Sequence, residues 1–173
     1  TILARVAITN AGTTALALKV KNLITANTTA VNLSGTNVGG VKVDLTNAQV
    51  YIPNQYVVTP GSAQSLYIAD VKRIVKIIDT LSPTTAPTNS MLTNSAYDVT
   101  NNFLFNNGQT DTYYGHGSIT LKSGAPQPKG DLLVLVDYYQ HAGGDGYFSI
   151  NSYLGAGEDR KSTRLNSSHV SES

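Results

Sequence analysis

Cysteine is absent from this chain, and so is tryptophan. The first absence excludes disulfide frameworks, thiolate zinc sites and cysteine nucleophiles. Charge is scarce too. Asp, Glu, Lys and Arg make up 13% of the residues, and the formal net charge is +1. Such a chain has no electrostatic footprint for nucleic acid or for an anionic membrane surface. No run approaches the roughly 20 apolar residues of a membrane-spanning helix, so no membrane insertion is expected. What remains is a length of 173 residues, one domain or two very small ones, with 40% hydrophobic residues. That is enough to bury a core. Ten tyrosines stand against three phenylalanines. Thr, Asn, Ser and Gly dominate the polar remainder. Beta-branched residues favour pleated strands, and Asn, Ser and Gly favour turns, so the mix suits strands better than long helices.

The ends read unlike the middle. Met91 is the only methionine, and no basic start with an apolar core opens the chain. The start at Thr1 is therefore expected to be a cut inside a longer product. From Asp159 to Ser173 the sequence turns abruptly polar and charged. Its stretch Asp-Arg-Lys-Ser-Thr-Arg-Leu-Asn-Ser-Ser-His resembles the translation of a short-read sequencing adapter. Residues 159–173 are accordingly read as a non-native, disordered tail. Setting them aside removes three basic and two acidic residues and leaves a neutral chain. Deleting Asp159–Ser173 is expected to leave the melting temperature unchanged within error. A loss above about 1 kcal/mol, more than neutral surface changes cause, would show that the tail contributes to the fold.

Along the body, short apolar runs alternate with turn residues. Ile2–Ile8 is apolar and ends at Asn10-Ala11-Gly12, and Ala15–Lys21 alternates in part. Thr25–Gly40 is rich in Thr and Asn. In Val41–Leu45, period-two alternation directs Val41, Val43 and Leu45 to one face and Lys42 and Asp44 to the other. Val50-Tyr51-Ile52 and Tyr56-Val57-Val58 read as short strands, each closed by a proline turn. Val71–Ile78 is ambiguous. Val71, Ile74, Val75 and Ile78 fall at helical spacing, but the run is short and beta-branched, which favours a strand. Asp79–Asn89 is a Ser/Thr/Pro loop. Asn107-Gly108 supplies a tight turn. Asp131–Tyr139 is the most apolar run and suits a central strand buried on both faces. Gly117–Lys122 and Asp131–Tyr139 are expected to pair across the intervening Pro-Gly turn. The pattern implies an all-β fold: an antiparallel β-sandwich-like domain with short strands, Gly/Pro/Asn-rich turns and little helix. Residues 1–40 read as a β segment ending a preceding module, and residues 41–157 as the β domain.

The side chains offer few chemical constellations. Asp111, His116, Asp137, His141 and Asp145 share one aromatic, glycine-rich neighbourhood. Their spacing matches neither a helical His pair nor a calcium loop, so no metal site is expected. The local reading has Asp111 and Asp145 capping turns, Asp137 ending a strand, and the histidines packing beside tyrosines. No Gly-x-Ser-x-Gly elbow and no phosphate-binding loop is present, so no catalytic residue and no cofactor is assigned. Lys72, Arg73 and Lys76 form the one basic cluster in the body and read as a solvated strand face. The tyrosines are the candidates left. Tyr113, Tyr114, Tyr138, Tyr139 and Tyr147 suit core or rim packing, a subunit interface or glycan stacking, because each joins a large apolar ring to a polar tip.

One segment carries a resemblance. Phe103-Leu104-Phe105-Asn106-Asn107-Gly108-Gln109-Thr110-Asp111-Thr112-Tyr113-Tyr114 is followed by Ile119-Thr120-Leu121-Lys122-Ser123-Gly124. The Pro128-Lys129-Gly130 turn, Leu132–His141 and the Tyr-Phe-Ser ending within Gly146–Tyr153 come next. In this order the motifs resemble a domain of unknown function in large virion structural proteins of tailed bacteriophages. The likeness spans about Val41 to Leu154. Asn106, Thr110 and Gly115 depart from it where Asp, Arg and Asp are commoner. The resemblance implies a non-enzymatic structural module of a tail, baseplate or tail-fibre protein. Its partners would be other virion subunits, with homo-oligomerisation of the full-length protein and contact with a host surface glycan. Its location would be the virion tail, assembled in the host cytoplasm. The alternative is a carbohydrate-binding or host-receptor-binding adhesin module.

Overall fold

The computed structural model describes residues 20–53, 60–110, 113–141 and 153–154. The runs Ile2–Ile8 and Tyr56–Val58, the Tyr147–Ile150 run and the 159–173 tail lie outside them. The chain divides into two units, Leu23–Gln140 and the two ends, Thr1–Asn22 with His141–Ser173. Residues 23–40, expected with a preceding module, thus belong to the larger unit. In the unit of the two ends, Lys21 and Asn22 of β1 (Lys21–Ile24) pair in parallel with Tyr153 and Leu154 of β10 (Tyr153–Leu154).

The larger unit is built around its most apolar strand, β9 (Leu132–His141). Leu132 to Tyr139 are all buried, so β9 needs cover on both faces and partners on both edges. One edge pairs antiparallel with β4 (Gln49–Ile52), the other with β6 (Val71–Asp79). Beyond β4 come β3 (Val41–Asp44) and β2 (Thr36–Val38), again antiparallel. A second, three-stranded antiparallel sheet runs β5 (Ala63–Ala69), β8 (His116–Leu121), β7 (Phe103–Asn106). Among the described residues, helix is confined to α1 (Asn89–Thr93) and two 3-10 turns, Ser95–Tyr97 and Thr100–Asn102. The expected antiparallel, sandwich-like β fold is the one found.

The core follows from alternation. Leu132, Val134, Val136 and Tyr138 of β9 share one cluster with Val41, Val50, Ile77, Leu66, Ile68, Phe103, Ile119 and Leu121, so it is filled by both sheets. Leu133 and Leu135 point the other way, to Ile78 and to Met91 and Leu92 of α1, with Val31, Tyr51 and Tyr97 packed alongside. A short helix and loops therefore cover the face that a second sheet does not.

Three local expectations are revised. Gly117–Lys122 and Asp131–Tyr139 do not pair, because β8 and β9 lie in different sheets. Both edges of β9 are taken by β4 and β6, and the Ser123–Gly130 connection crosses between layers. Leu45 does not continue the Val41/Val43 face. The strand ends at Asp44, whose Oδ1 accepts the N–H groups of Thr46 and Asn47 at 2.9 and 3.0 Å. That turn leaves Leu45 exposed and Asp44 buried. Asp137 does not end the strand but lies inside β9, buried. A fourth, the Asn107-Gly108 tight turn, holds only in its backbone: Gly108 takes the positive φ, +72°, and a side chain there would meet the carbonyl oxygen of His116, but the ladder runs on to the Gln109–Tyr114 bridge.

The chain changes sheet between β5 and β6 at Asp70. This residue takes φ +54°, which an Asp tolerates better than most because its short side chain bonds locally. Asp70 is fully buried. Its carboxylate accepts from Gln109 Nε2 at 2.8 Å, and its carbonyl accepts the Tyr139 N–H at 3.0 Å. One corner residue thus joins β9 to the turn after β7.

Candidate functional site

The densest buried polar group sits where β6 ends. An apolar strand must leave the sheet here without stranding its backbone donors in the interior. Asp79, 2% exposed, meets that need. Its Oδ1 accepts the N–H groups of Leu81 and Gly130, both at 2.8 Å, and its Oδ2 accepts that of Lys129 at 2.9 Å. Thr80 Oγ1 accepts the Asp131 N–H at 2.8 Å and donates to the Ser82 carbonyl at 2.9 Å. The Tyr51 hydroxyl donates to Asp131 Oδ2 at 2.5 Å. Gly130 is required by proximity: a β-carbon there would collide with Thr80 Oγ1 and lie 2.5 Å from the Ser82 nitrogen. Beside this group lies a crevice of about 210 Å³, lined by Leu81, Val99, Pro126, Pro128 and Lys129 among others.

Burial, the hydrogen bond to Asp131 and that residue's negative charge push the Tyr51 hydroxyl up to about 12 from its ordinary 10. Burial, then the charge of Asp44, raises Tyr138 as well. A raised folded-state value means that the neutral phenol stabilises the fold fully below pH 10, and that this contribution is lost between about 10 and 12. Thermal melts across that window are expected to fall less steeply for Tyr51→Phe than for the wild type. At neutral pH the same substitution costs about 1.5–3 kcal/mol, the worth of a hydrogen bond to a charged acceptor. Parallel slopes would show that Tyr51 does not resist ionisation.

A second polar group holds the loop after β1. Gln49, 1% exposed, donates from Nε2 to the carbonyls of Asn27 and Ala30 at 2.8 and 2.7 Å, while its Oε1 accepts the Asn32 N–H at 2.9 Å. Asn47 bridges Asp44 Oδ2 and Asn27 Nδ2 at 2.8 and 3.0 Å. An open groove of about 390 Å³ runs beside it, lined by Asn32, Ser34, Thr36, Asp44, Leu45 and Asn47 among others.

The residues singled out in the sequence are scattered. Tyr113 and Tyr114 are exposed, 64% and 37%, on the connection between β7 and β8. Tyr138 is a core residue, its hydroxyl donating to the Leu45 carbonyl at 2.8 Å. Tyr139 is buried as well. Neither ring presents a face to a glycan, so Tyr138 and Tyr139 belong with core packing, and the four tyrosines among the described residues form no common platform. Tyr147, Asp111 and Asp145 lie outside the described residues. His116 packs beside Tyr67, ring centroids 5.8 Å apart. Asp137 accepts the Ala26 N–H at 3.0 Å and Arg73 Nε at 2.6 Å. His141, exposed, closes β9. Among the described residues, no three of the His, Asp and Glu side chains gather as a metal site would need.

The anchors Asp44, Gln49, Asp79 and Asp131 were not singled out by the sequence. Their one signal is position: Asp79 closes an apolar run, Asp131 opens another, and Asp44 ends an alternating one. Chemically, these carboxylates accept backbone N–H groups and a phenol. No family model, no curated protein and no solved structure matches the chain.

Proposed function

We propose that the chain is a non-enzymatic structural module of a tailed-phage virion protein, belonging to a tail, baseplate or tail fibre. The motif order from Phe103 to Tyr153 suggests the class. The observation that carries the non-enzymatic part is the use made of the buried carboxylates. Asp44, Asp79 and Asp137 each bind backbone N–H groups that tie a loop to a strand. A general acid or nucleophile needs instead a carboxylate turned toward a cleft, with a proton to exchange. Carboxylates that fasten loops suit a part whose task is to keep its shape.

The test lies in the genes beside this one on its source DNA. Tail-sheath, baseplate, tape-measure or terminase genes on either side are the expected result. A metabolic operon would overturn the reading. A second reading, a carbohydrate-binding adhesin module, is favoured by one observation, the exposure of Tyr113 and Tyr114 on adjacent positions. A glycan array separates the two. Saturable binding that Tyr113→Ala abolishes would support the adhesin, and the structural reading expects none.

A further inference from the structure

We infer that the free edge of β7 is a docking edge, and that its occupant is the same edge of a second copy of this chain. An open sheet edge offers unpaired backbone groups to any extended strand, and proteins blunt such edges unless they are used. Among the described residues of Leu23–Gln140, β2, β5, β6 and β7 each lie at a sheet edge. Three of them are blunted. β6 carries three charged residues, Lys72, Arg73 and Lys76. Its pairing shifts register twice, and its last residues are covered by the Val99 N–H on the Ile77 carbonyl and by Thr100 Oγ1 on the Ile77 N–H. β5 shifts register between Ser65 and Ala69, with Tyr67 at φ +54°. β2 is three residues long and stops at Gly39-Gly40, both with positive φ.

β7 is the least defended of the four: it is short and its ladder shifts register only beyond Asn106, before the Gln109–Tyr114 bridge. It pairs with β8 in unbroken register from Phe103 to Asn106. No charged residue occurs from Phe103 to Gln109. Leu104 is 57% exposed and Phe105 37%. The hydrogen-bond phase is set by the Lys122 N–H on the Asn102 carbonyl, 2.9 Å. In an antiparallel ladder alternate residues bond to opposite sides. Asn102, Leu104 and Asn106 therefore bond toward β8, and Phe105 turns its N–H and carbonyl outward. Phe103 turns its carbonyl outward while its N–H bonds to the Thr100 carbonyl. Asn107 N–H follows the same alternation outward.

A second copy satisfies that edge. Two-fold antiparallel pairing centred on Phe105 matches the N–H and carbonyl of Phe105 with their own counterparts. It also brings each Asn107 N–H to the partner's Phe103 carbonyl. The two Phe105 rings then lie side by side, an aromatic cross-strand pair that stabilises sheets. Because the edge is uncharged, identical edges meet without repulsion. The symmetry closes on itself, as most homo-oligomer interfaces do.

The full chain gives the test. Sedimentation of the wild type is expected to show a monomer–dimer equilibrium. Phe105→Lys sets like charges opposite each other and is expected to abolish the dimer while the melt stays cooperative. Phe105→Cys gives a second, independent readout, since the protein has no cysteine of its own. Residues opposed at a hydrogen-bonded antiparallel site have α-carbons about 5.5 Å apart, within disulfide reach. Phe105→Cys is thus expected to cross-link under mild oxidation, and Leu104→Cys, opposite the partner's Asn106, is not. A wild type that stays monomeric to its solubility limit would overturn the inference. So would a dimer that survives Phe105→Lys, or equal cross-linking at positions 104 and 105.

Discussion

Asp79→Ala is expected to lower the free energy of unfolding by about 3–5 kcal/mol, because it strips acceptors from buried donors whose hydrogen bonds to a charged group are each worth about 1.5–3 kcal/mol. The donors are the N–H groups of Leu81, Lys129 and Gly130. They lie 2 to 51 positions from Asp79 in the chain, so the carboxylate is a local turn former and a long-range clamp at once. At 2% exposure, solvent reaches the site poorly and replaces the lost acceptor only in part. Asp79→Asn separates charge from geometry. One amide oxygen still accepts, but the NH₂ group must face a backbone N–H, donor against donor. An intermediate loss of about 2 kcal/mol is expected. Urea unfolding followed by circular dichroism measures both. If Asp79→Ala costs less than about 1 kcal/mol, within the range of ordinary surface changes, the 126–131 segment is held by something else.

The strands were legible and their partners were not, and the difference is physical. Hydrophobic periodicity is local, so Val41–Asp44, Val50–Ile52 and Leu132–Tyr139 announce themselves, whereas Val71–Ile78 reads ambiguously and only its beta-branched residues favour the strand that is found. Strand pairing depends on edges, which the sequence does not write. Hence β8 and β9, neighbours in the chain, were expected to pair and do not. Their separation follows once β4 and β6 occupy both edges of β9. The loop anchors were hidden for a related reason. Nothing in the surroundings of Asp79 records that its acceptors serve a turn about fifty residues away.

The helix-like spacing in Val71–Ile78 has a specific cause. The pairing of β6 with β9 shifts register between Val71 and Arg73 and again between Ile74 and Lys76. Each bulge inserts one residue into one strand. Residues on one face then recur every three positions instead of every two. Val71, Ile74 and Ile77 accordingly all pack on the same core cluster. A doubly bulged strand thus imitates a helix in its apolar pattern. The tyrosines show the opposite limit. Tyr138 and Tyr139 differ little from Tyr113 and Tyr114 as residues. Only the placement of the first pair in β9 and of the second on a connection separates buried rings from exposed ones.

The doubly buried character of β9 has a large and testable consequence. Leu133→Asp and Val134→Asp are each expected to abolish cooperative folding, although their side chains point to opposite faces. Val134 enters the cluster between the two sheets, and Leu133 enters the one capped by α1 and the loop around Val31. Both are fully buried. An unpaired carboxylate in either place costs several kcal/mol even after relaxation, in addition to the lost apolar contacts. The total rivals the roughly 5–15 kcal/mol by which domains are stable. Leu133→Ala introduces no charge and isolates the packing component, about 2–5 kcal/mol for a buried leucine. On an antiparallel sheet with one solvated face, only alternate positions would be so sensitive. Near-UV circular dichroism and thermal melts of the variants decide the matter. If Leu133→Asp melts cooperatively within about 1 kcal/mol of wild type, the α1 layer does not seal that face of β9. If only Val134→Asp unfolds, the core between the sheets is the whole of the stabilising apolar contact.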